Sequence, residues 1–180
     1  MATMHTDPFS FDYLTIQKWT SRCSHEISQA ELHAIKLEEL NKKLNKSRRE
    51  RIGLVNDLIL YPDDPEIRRN FFIKTLETEE LIEDRRRVMS KLSKYFNNAV
   101  EIIALLAKES IYSDENSYLT SLTAWLIKLD VLASNIKRSE VSGIQTNLLI
   151  EVLMRLESIK SNFKFSTLKF RLKKILDTLL

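Results

Sequence analysis

The sequence predicts an all-α chain: a long antiparallel helical hairpin, coiled-coil-like, followed by a C-terminal bundle of shorter helices. Three observations carry this. Only two glycines and three prolines occur in 180 residues, against average usage of roughly 7% and 5%, so few turns interrupt the chain. One strong stop-start signal, Tyr61-Pro62-Asp63-Asp64-Pro65-Glu66, stands alone after a proline-free stretch that begins near Asp12. Beyond it, apolar residues recur in alternating steps of four and three for six heptads.

Residues 1–11 lack periodicity and are expected to form a flexible tail. Residues 12–112 form the hairpin, with its turn near 61–65. Asp64 suits an N-cap, Pro65 the first helical turn where its missing N–H is no loss, and Glu66 the positive helix end. One helix therefore ends near Leu60 and the next starts at Pro65. On the first, Ile27, Ala30, Ala34, Leu37, Leu44, Ile52, Val55 and Ile59 form one broad stripe. On the second the seam runs Ile67, Phe71, Lys74, Thr78, Leu81, Arg85, Val88, Leu92, Tyr95, Ala99, Ile102 and Leu106. Nine of these 12 positions are apolar, at the 3.5-residue period of a coiled coil.

Folding about residues 62–63 brings together positions whose numbers sum to about 125. The basic run Lys42, Lys43, Lys46, Arg48, Arg49, Arg51 then lies beside Glu77, Glu79, Glu80, Glu83 and Asp84, and Arg85 to Arg87 beside Glu38 and Glu39. We expect these charges to fix register and orientation rather than stability. The complementary acids also make a solvated hairpin face a better account of the run 42–51 than a nuclear-localisation or nucleic-acid patch. A second column, Ile82, Met89, Phe96 and Ile103, recurs every seven residues beside the seam. It widens the apolar face beyond what one neighbour covers, so a third helix or a partner must pack there.

Residues 113–180 form the shorter helices. Leu119, Leu122, Trp125, Leu126, Leu129, Leu132 and Ile136 mark one, broken at Ser139-Glu140 or Gly143. Ile144, Leu148, Val152, Leu156 and Ile159 mark the next, and Leu168, Leu172, Ile175 and Leu179 the last.

The apolar runs fall far short of the roughly 20 residues a membrane span needs, and no signal-peptide pattern opens the chain. The lone Cys23 fits a reducing, intracellular compartment, with cytoplasm and nucleus indistinguishable. Metal ligation is not expected: Cys23 and His25 point apart on a helix, and His25 and His33 are eight residues from each other. With glycines only at Gly53 and Gly143, no phosphate cradle can be assembled, nor does any catalytic triad emerge. We therefore expect no enzyme, no cofactor and no small-molecule substrate.

Net charge is uneven. Residues 1–115 carry 18 basic and 20 acidic side chains, whereas residues 116–180 carry 10 and 5. Lys160, Lys164, Lys169, Arg171, Lys173 and Lys174 interleave with aromatic and aliphatic residues near the C-terminus. Such a segment can dock on nucleic acid or an acidic membrane, and a core helix with a lysine-rich outer face accounts for it equally well. The expected function is a non-catalytic subunit or adaptor mediating protein–protein assembly in a larger intracellular complex. Homo- and hetero-oligomers are equally favoured. The interaction residues are Ile82, Met89, Phe96 and Ile103, with Lys164, Lys169, Arg171, Lys173 and Lys174 serving the alternative, polyanion-docking reading.

Overall fold

A computed structural model describes residues 13–112, 117–159 and 163–180. The tail expected at 1–11 lies outside the described residues. The chain is an all-α hairpin followed by shorter packed helices, with no strand among the described residues. Helix α1 spans Tyr13–Leu60, α2 Pro65–Tyr112, α3 Ser117–Arg138, α4 Asn147–Ser158 and α5 Ser166–Leu179, the last preceded by a 3-10 turn at Phe163–Phe165.

The turn is built as its residues dictate. The Asp64 carboxylate accepts hydrogen bonds from the backbone N–H groups of Glu66 (2.9 Å) and Ile67 (3.3 Å), capping α2. Arg68 folds back, donating through Nε to the Pro62 carbonyl (2.7 Å) and pairing with Asp63 (3.3 Å). These bonds close the connection in four residues, 61–64.

Two compact units divide the chain. The hairpin unit is Leu32–Lys91, the α1–turn–α2 segment alone. Here the inward column of α2 is the predicted one: Ile67, Phe71, Lys74, Leu81, Arg85 and Val88 are half-buried and Thr78 is buried. The inward column of α1 differs from the predicted stripe. It runs His33, Leu37, Leu40, Leu44, Ser47, Arg51, Leu54 and Leu58, every member buried or half-buried, also in steps of three and four. Ile52, Val55 and Ile59 are 60%, 39% and 72% exposed, so they are not part of that column. The cause is a polar layer in the core. Ser47 and Thr78 hydrogen-bond at 2.7 Å, and Thr78 donates to the Lys74 carbonyl, which leaves Ser47 as the donor between them. Arg85 Nε donates to Asn41 Oδ1 at 2.7 Å, and Lys74 bridges Glu50 (2.8 Å) and Glu77 (2.6 Å).

These cross-hairpin contacts join residues whose numbers sum to about 125, the register expected. The ion pairs do not follow the expected scheme. Lys42 pairs with Glu38 and Lys46 with Glu50 along α1, and Arg86 with Glu83 and Arg87 with Asp84 along α2. Partners three or four residues away on the same helix are closer than those on the neighbouring one. The bridge across the hairpin, Glu50–Lys74, places the acid on α1 and the base on α2.

The base unit comprises residues 1–31 and Leu92–Leu180. Its core is mostly apolar: Ile27, Leu92, Phe96, Ile103, Leu106, Leu122, Leu126, Leu129, Leu149 and Leu156 are almost wholly removed from water, with Glu26, Ser93, Glu109 and Ser110 also buried. Each such apolar side chain contributes on the order of 1.5–3 kcal/mol of transfer free energy. Helix α5 packs chiefly on α3 and also on α4, burying Leu168, Leu172, Ile175 and Leu176. Among the described residues, four ion pairs lace the helices of this unit: Glu31–Lys128, Lys108–Glu151, Glu157–Lys173 and Asp130–Lys174.

Helix α3 ends in a Schellman motif: Val141 N–H donates to the Ile136 carbonyl and Glu140 N–H to that of Lys137. The motif puts Glu140 at φ 55°, a left-handed site that favours glycine. Gly143 has φ 79°, and its carbonyl accepts hydrogen bonds from Asn97 (2.8 Å) and Ser93 (3.2 Å) on α2. Asn97 Oδ1 in turn accepts the Gln145 N–H, so one amide pins the α3–α4 loop.

Candidate functional site

The candidate surface follows from the geometry of the hairpin unit. In two antiparallel helices, one residue step turns each side chain by about 100°, and the opposite directions of travel bring both steps to the same side of the pair. The columns one residue beyond the two inward columns therefore share one flank. On α1 that column is Ala34, Glu38, Asn41, Asn45, Arg48, Ile52, Val55 and Ile59; on α2 it is Arg68, Phe72, Thr75, Glu79, Ile82, Arg86 and Met89. The columns one residue before share the opposite flank: Leu32, Lys36, Glu39, Lys43, Lys46, Glu50, Gly53 and Asp57 with Glu66, Asn70, Ile73, Glu77, Glu80, Asp84 and Arg87.

The two flanks differ in kind. The first carries, besides the buried Ala34, six apolar side chains, of which Ile52, Val55, Ile59 and Phe72 are exposed and Ile82 and Met89 half-buried. The second carries two exposed ones, Leu32 and Ile73, among charges. Leu60 and Tyr61 at the turn are also exposed, 70% and 61%. Extended exposed apolar surface is a feature of contact sites.

The expected interaction residues separate accordingly. Ile82 and Met89 lie on the apolar flank of the hairpin unit. Phe96 and Ile103, although in the same seven-residue column, are 0% and 1% exposed in the base unit. They serve its core and are not a docking surface. Ile52, Val55, Ile59 and Phe72 were not among the expected interaction residues. The signal that identifies them is polar matching: Thr78 in the α2 seam requires a polar partner, and the register supplies Ser47. With Ser47 inward, Ile52, Val55 and Ile59 lie one residue beyond the inward column and turn outward.

The basic C-terminal residues are largely at work inside the base unit. Lys173 reaches Glu157 on α4 (3.0 Å) and Lys174 reaches Asp130 on α3 (3.1 Å). Arg171 lies 5.8 Å from the centroid of the Phe170 ring, Lys164 lies 5.5 Å from that of Phe165, and Lys169 is half-buried. Lys160 lies outside the described residues.

The polar groups of the base unit offer little chemistry. Cys23 is wholly buried, and burial followed by the nearby Glu26 charge pushes its thiol up to about 12, the protonated and unreactive form. Glu26 accepts a hydrogen bond from Asn98 at 3.1 Å. No group of three or more His, Cys, Asp or Glu side chains able to hold a metal occurs among the described residues. A groove of about 600 Å³ at the α3–α4 loop is lined by Ile136, Lys137, Glu140, Val141, Ser142, Ile144, Thr146, Leu179 and Leu180. Its titratable side chains are Lys137 and Glu140, beside the hydroxyls of Ser142 and Thr146. No described helix is long and apolar enough to cross a membrane.

Comparison with protein-family models, with curated proteins and with solved structures finds no match to this chain.

Proposed function

We propose that this chain is a non-catalytic α-helical subunit or adaptor of an intracellular protein complex, using its hairpin as a coiled coil to dock another protein. The supporting observation is the two-sided hairpin: Ile52, Val55, Ile59 and Phe72 lie exposed on one flank with Ile82 and Met89, opposite a charged flank. Burying such a flank is favourable by roughly 25 cal/mol per Å² of apolar surface, whereas leaving it in water favours aggregation. Polyanion docking through α5 is the weaker reading, because Lys173 and Lys174 are held by carboxylates of α4 and α3.

The test is to isolate the chain from its native source with its bound proteins, alongside the exposed-site variants Ile52→Glu and Phe72→Glu. The reading expects the variants to stay folded and to lose those proteins. If the variants keep every bound protein and the cellular role, while replacement of Lys164 and Lys169 by glutamine abolishes both, assembly through the hairpin is wrong.

A further inference from the structure

We infer that the occupant of the apolar flank is a second copy of this chain, packed about a two-fold axis parallel to the hairpin helices. The inference rests on the assembly reading above and commits it to one partner. Residues at one level of the hairpin have numbers summing to about 125, as the bonds between Ser47 and Thr78, Asn41 and Arg85, and Glu50 and Lys74 establish. A two-fold axis parallel to the helices sets α1 of each copy against α2 of the other at the same level. A surface that carries complementary groups on its own two helices is then complementary to itself.

The apolar flank has this property at three of its levels, while Ile59 faces Arg68 and Ile82 faces Asn45. Near the turn, Ile52 and Val55 meet Phe72 of the other copy, apolar on apolar. One to two helical turns further, Arg48 meets Glu79, and beyond them Glu38 meets Arg86. No like charges face each other at these levels. Glu38 and Arg86 are now in exposed pairs with Lys42 and Glu83 on their own helices, and such pairs exchange at little cost. The reversed arrangement, turn against the far end of the hairpin, sets Ile52 and Phe72 against Glu38 and Arg86 and leaves those charges desolvated and unpaired. Side-chain chemistry thus selects both the partner and its direction.

The experiment uses the full chain in sedimentation equilibrium, with three sets of variants. Ile52→Glu with Phe72→Glu should weaken self-association on the order of a hundredfold, with helicity by circular dichroism unchanged because both sites are exposed. Arg48→Glu alone and Glu79→Arg alone should each weaken the homodimer. Mixing the two chains should restore a dimer, because the two substituted side chains then face each other with opposite charges, as do the unaltered Glu79 of the first chain and Arg48 of the second. A chain carrying Ile52→Cys mixed with one carrying Phe72→Cys should form the mixed disulfide between chains, the native Cys23 being buried. A wild-type chain that stays monomeric overturns the second-copy inference, as does a dimer indifferent to the flank variants or a pair that fails to crosslink. If the monomer still loses its native-source partner on Ile52→Glu with Phe72→Glu, the assembly reading stands with a different occupant. If those variants affect neither, both fail.

Discussion

The hairpin unit and the base unit use the same seven-residue repeat on α2 for opposite ends. In the base, the column beside the seam is filled by Phe96 and Ile103, both sealed from water. In the hairpin unit the same column holds Ile82 and Met89, half-open. The buried apolar set divides the same way: among the described residues only Ala34, Leu37 and Leu44 of it belong to the hairpin unit. Two helices alone cannot enclose an apolar face wider than their mutual seam, whereas added helices can. The hairpin adds polar contacts across its helices: the buried Ser47–Thr78 bond, the half-buried Asn41–Arg85 bond and the partly exposed Glu50–Lys74 bridge. Such contacts contribute less stability than leucines would, but they specify register. An unbroken heptad pattern therefore does not imply a uniform interior.

The sharpest way to break this comparison is to place the same charge in both units. Phe96→Asp puts a carboxylate among fully buried apolar groups and removes an aromatic ring, so it should cost more than about 4 kcal/mol and unfold the base. Phe72→Asp at a 63% exposed site should change the stability of the dilute chain by less than about 0.5 kcal/mol. Urea unfolding followed through the buried Trp125 reads the base directly. Equal effects at the two sites would mean that the hairpin flank is covered, contrary to its exposure.

A smaller effect tests the polar layer. Thr78→Val alone strands the Ser47 hydroxyl in a buried site and should cost about 1–3 kcal/mol, while Ser47→Ala with Thr78→Val should recover most of that loss. Recovered stability with weaker register is the expected signature. It would appear as cysteine pairs engineered at sums of about 121 or 129, one turn away from those seen, crosslinking in the double variant but not in the wild type. If the single and double variants are equally unstable, the layer is not a coupled pair.

How much of this was legible in the residues follows from where polar groups sit. The turn, the two long helices and the α2 seam were readable, because Asp64-Pro65 is a strong local signal and the seam is mostly apolar. The α1 column was not. Glu26, His33, Ser47 and Arg51 occupy inward positions there, and periodicity alone followed the apolar Ile52, Val55 and Ile59 onto the surface instead. The charge runs pointed to the right register for an incomplete reason: their partners lie mostly on the same helix. In the base, α4 buries the expected Val152 and Leu156 together with Leu149, whereas the expected Leu148 is half-buried.

A still smaller change sharpens the view of the base as a tightly specified unit. Glu140 occupies the left-handed position of the Schellman motif at φ 55°, where a side chain is strained and glycine is not. Glu140→Gly should therefore stabilise the base by about 0.5–1 kcal/mol, readable as a higher urea midpoint. Gly143→Ala should do the opposite, since its φ is 79° and an added Cβ would lie 3.3 Å from Ser93 Oγ. A loss of stability on Glu140→Gly would mean that the glutamate makes a contact outweighing its strain.

The least costly perturbation is pH, which in the hairpin unit acts on the Glu50–Lys74 bridge. The hydrogen bond from Lys74, with the charges of Lys74 and Lys46, holds the Glu50 carboxyl below its ordinary range despite some desolvation. Bonds to Glu50 and Glu77 hold the Lys74 ammonium above its own. For Glu50, whose folded value is depressed, the linkage contribution is present above the ordinary carboxylate range and is lost as pH falls through the folded value. For Lys74, whose folded value is raised, the contribution is present below the ordinary lysine range and is lost as pH rises through the folded value. The bridge should therefore stabilise the hairpin across neutral pH and fail first in acid. Because Glu50 is exposed, the effect should be small and reduced by salt. Amide hydrogen exchange in the segment 44–80, compared between wild type and Glu50→Gln, should show faster exchange in the variant near neutrality. The two should converge as the pH drops below the ordinary carboxylate range. A difference that persists there, or that ignores salt, would assign the stabilisation to packing around Lys74 rather than to its charge.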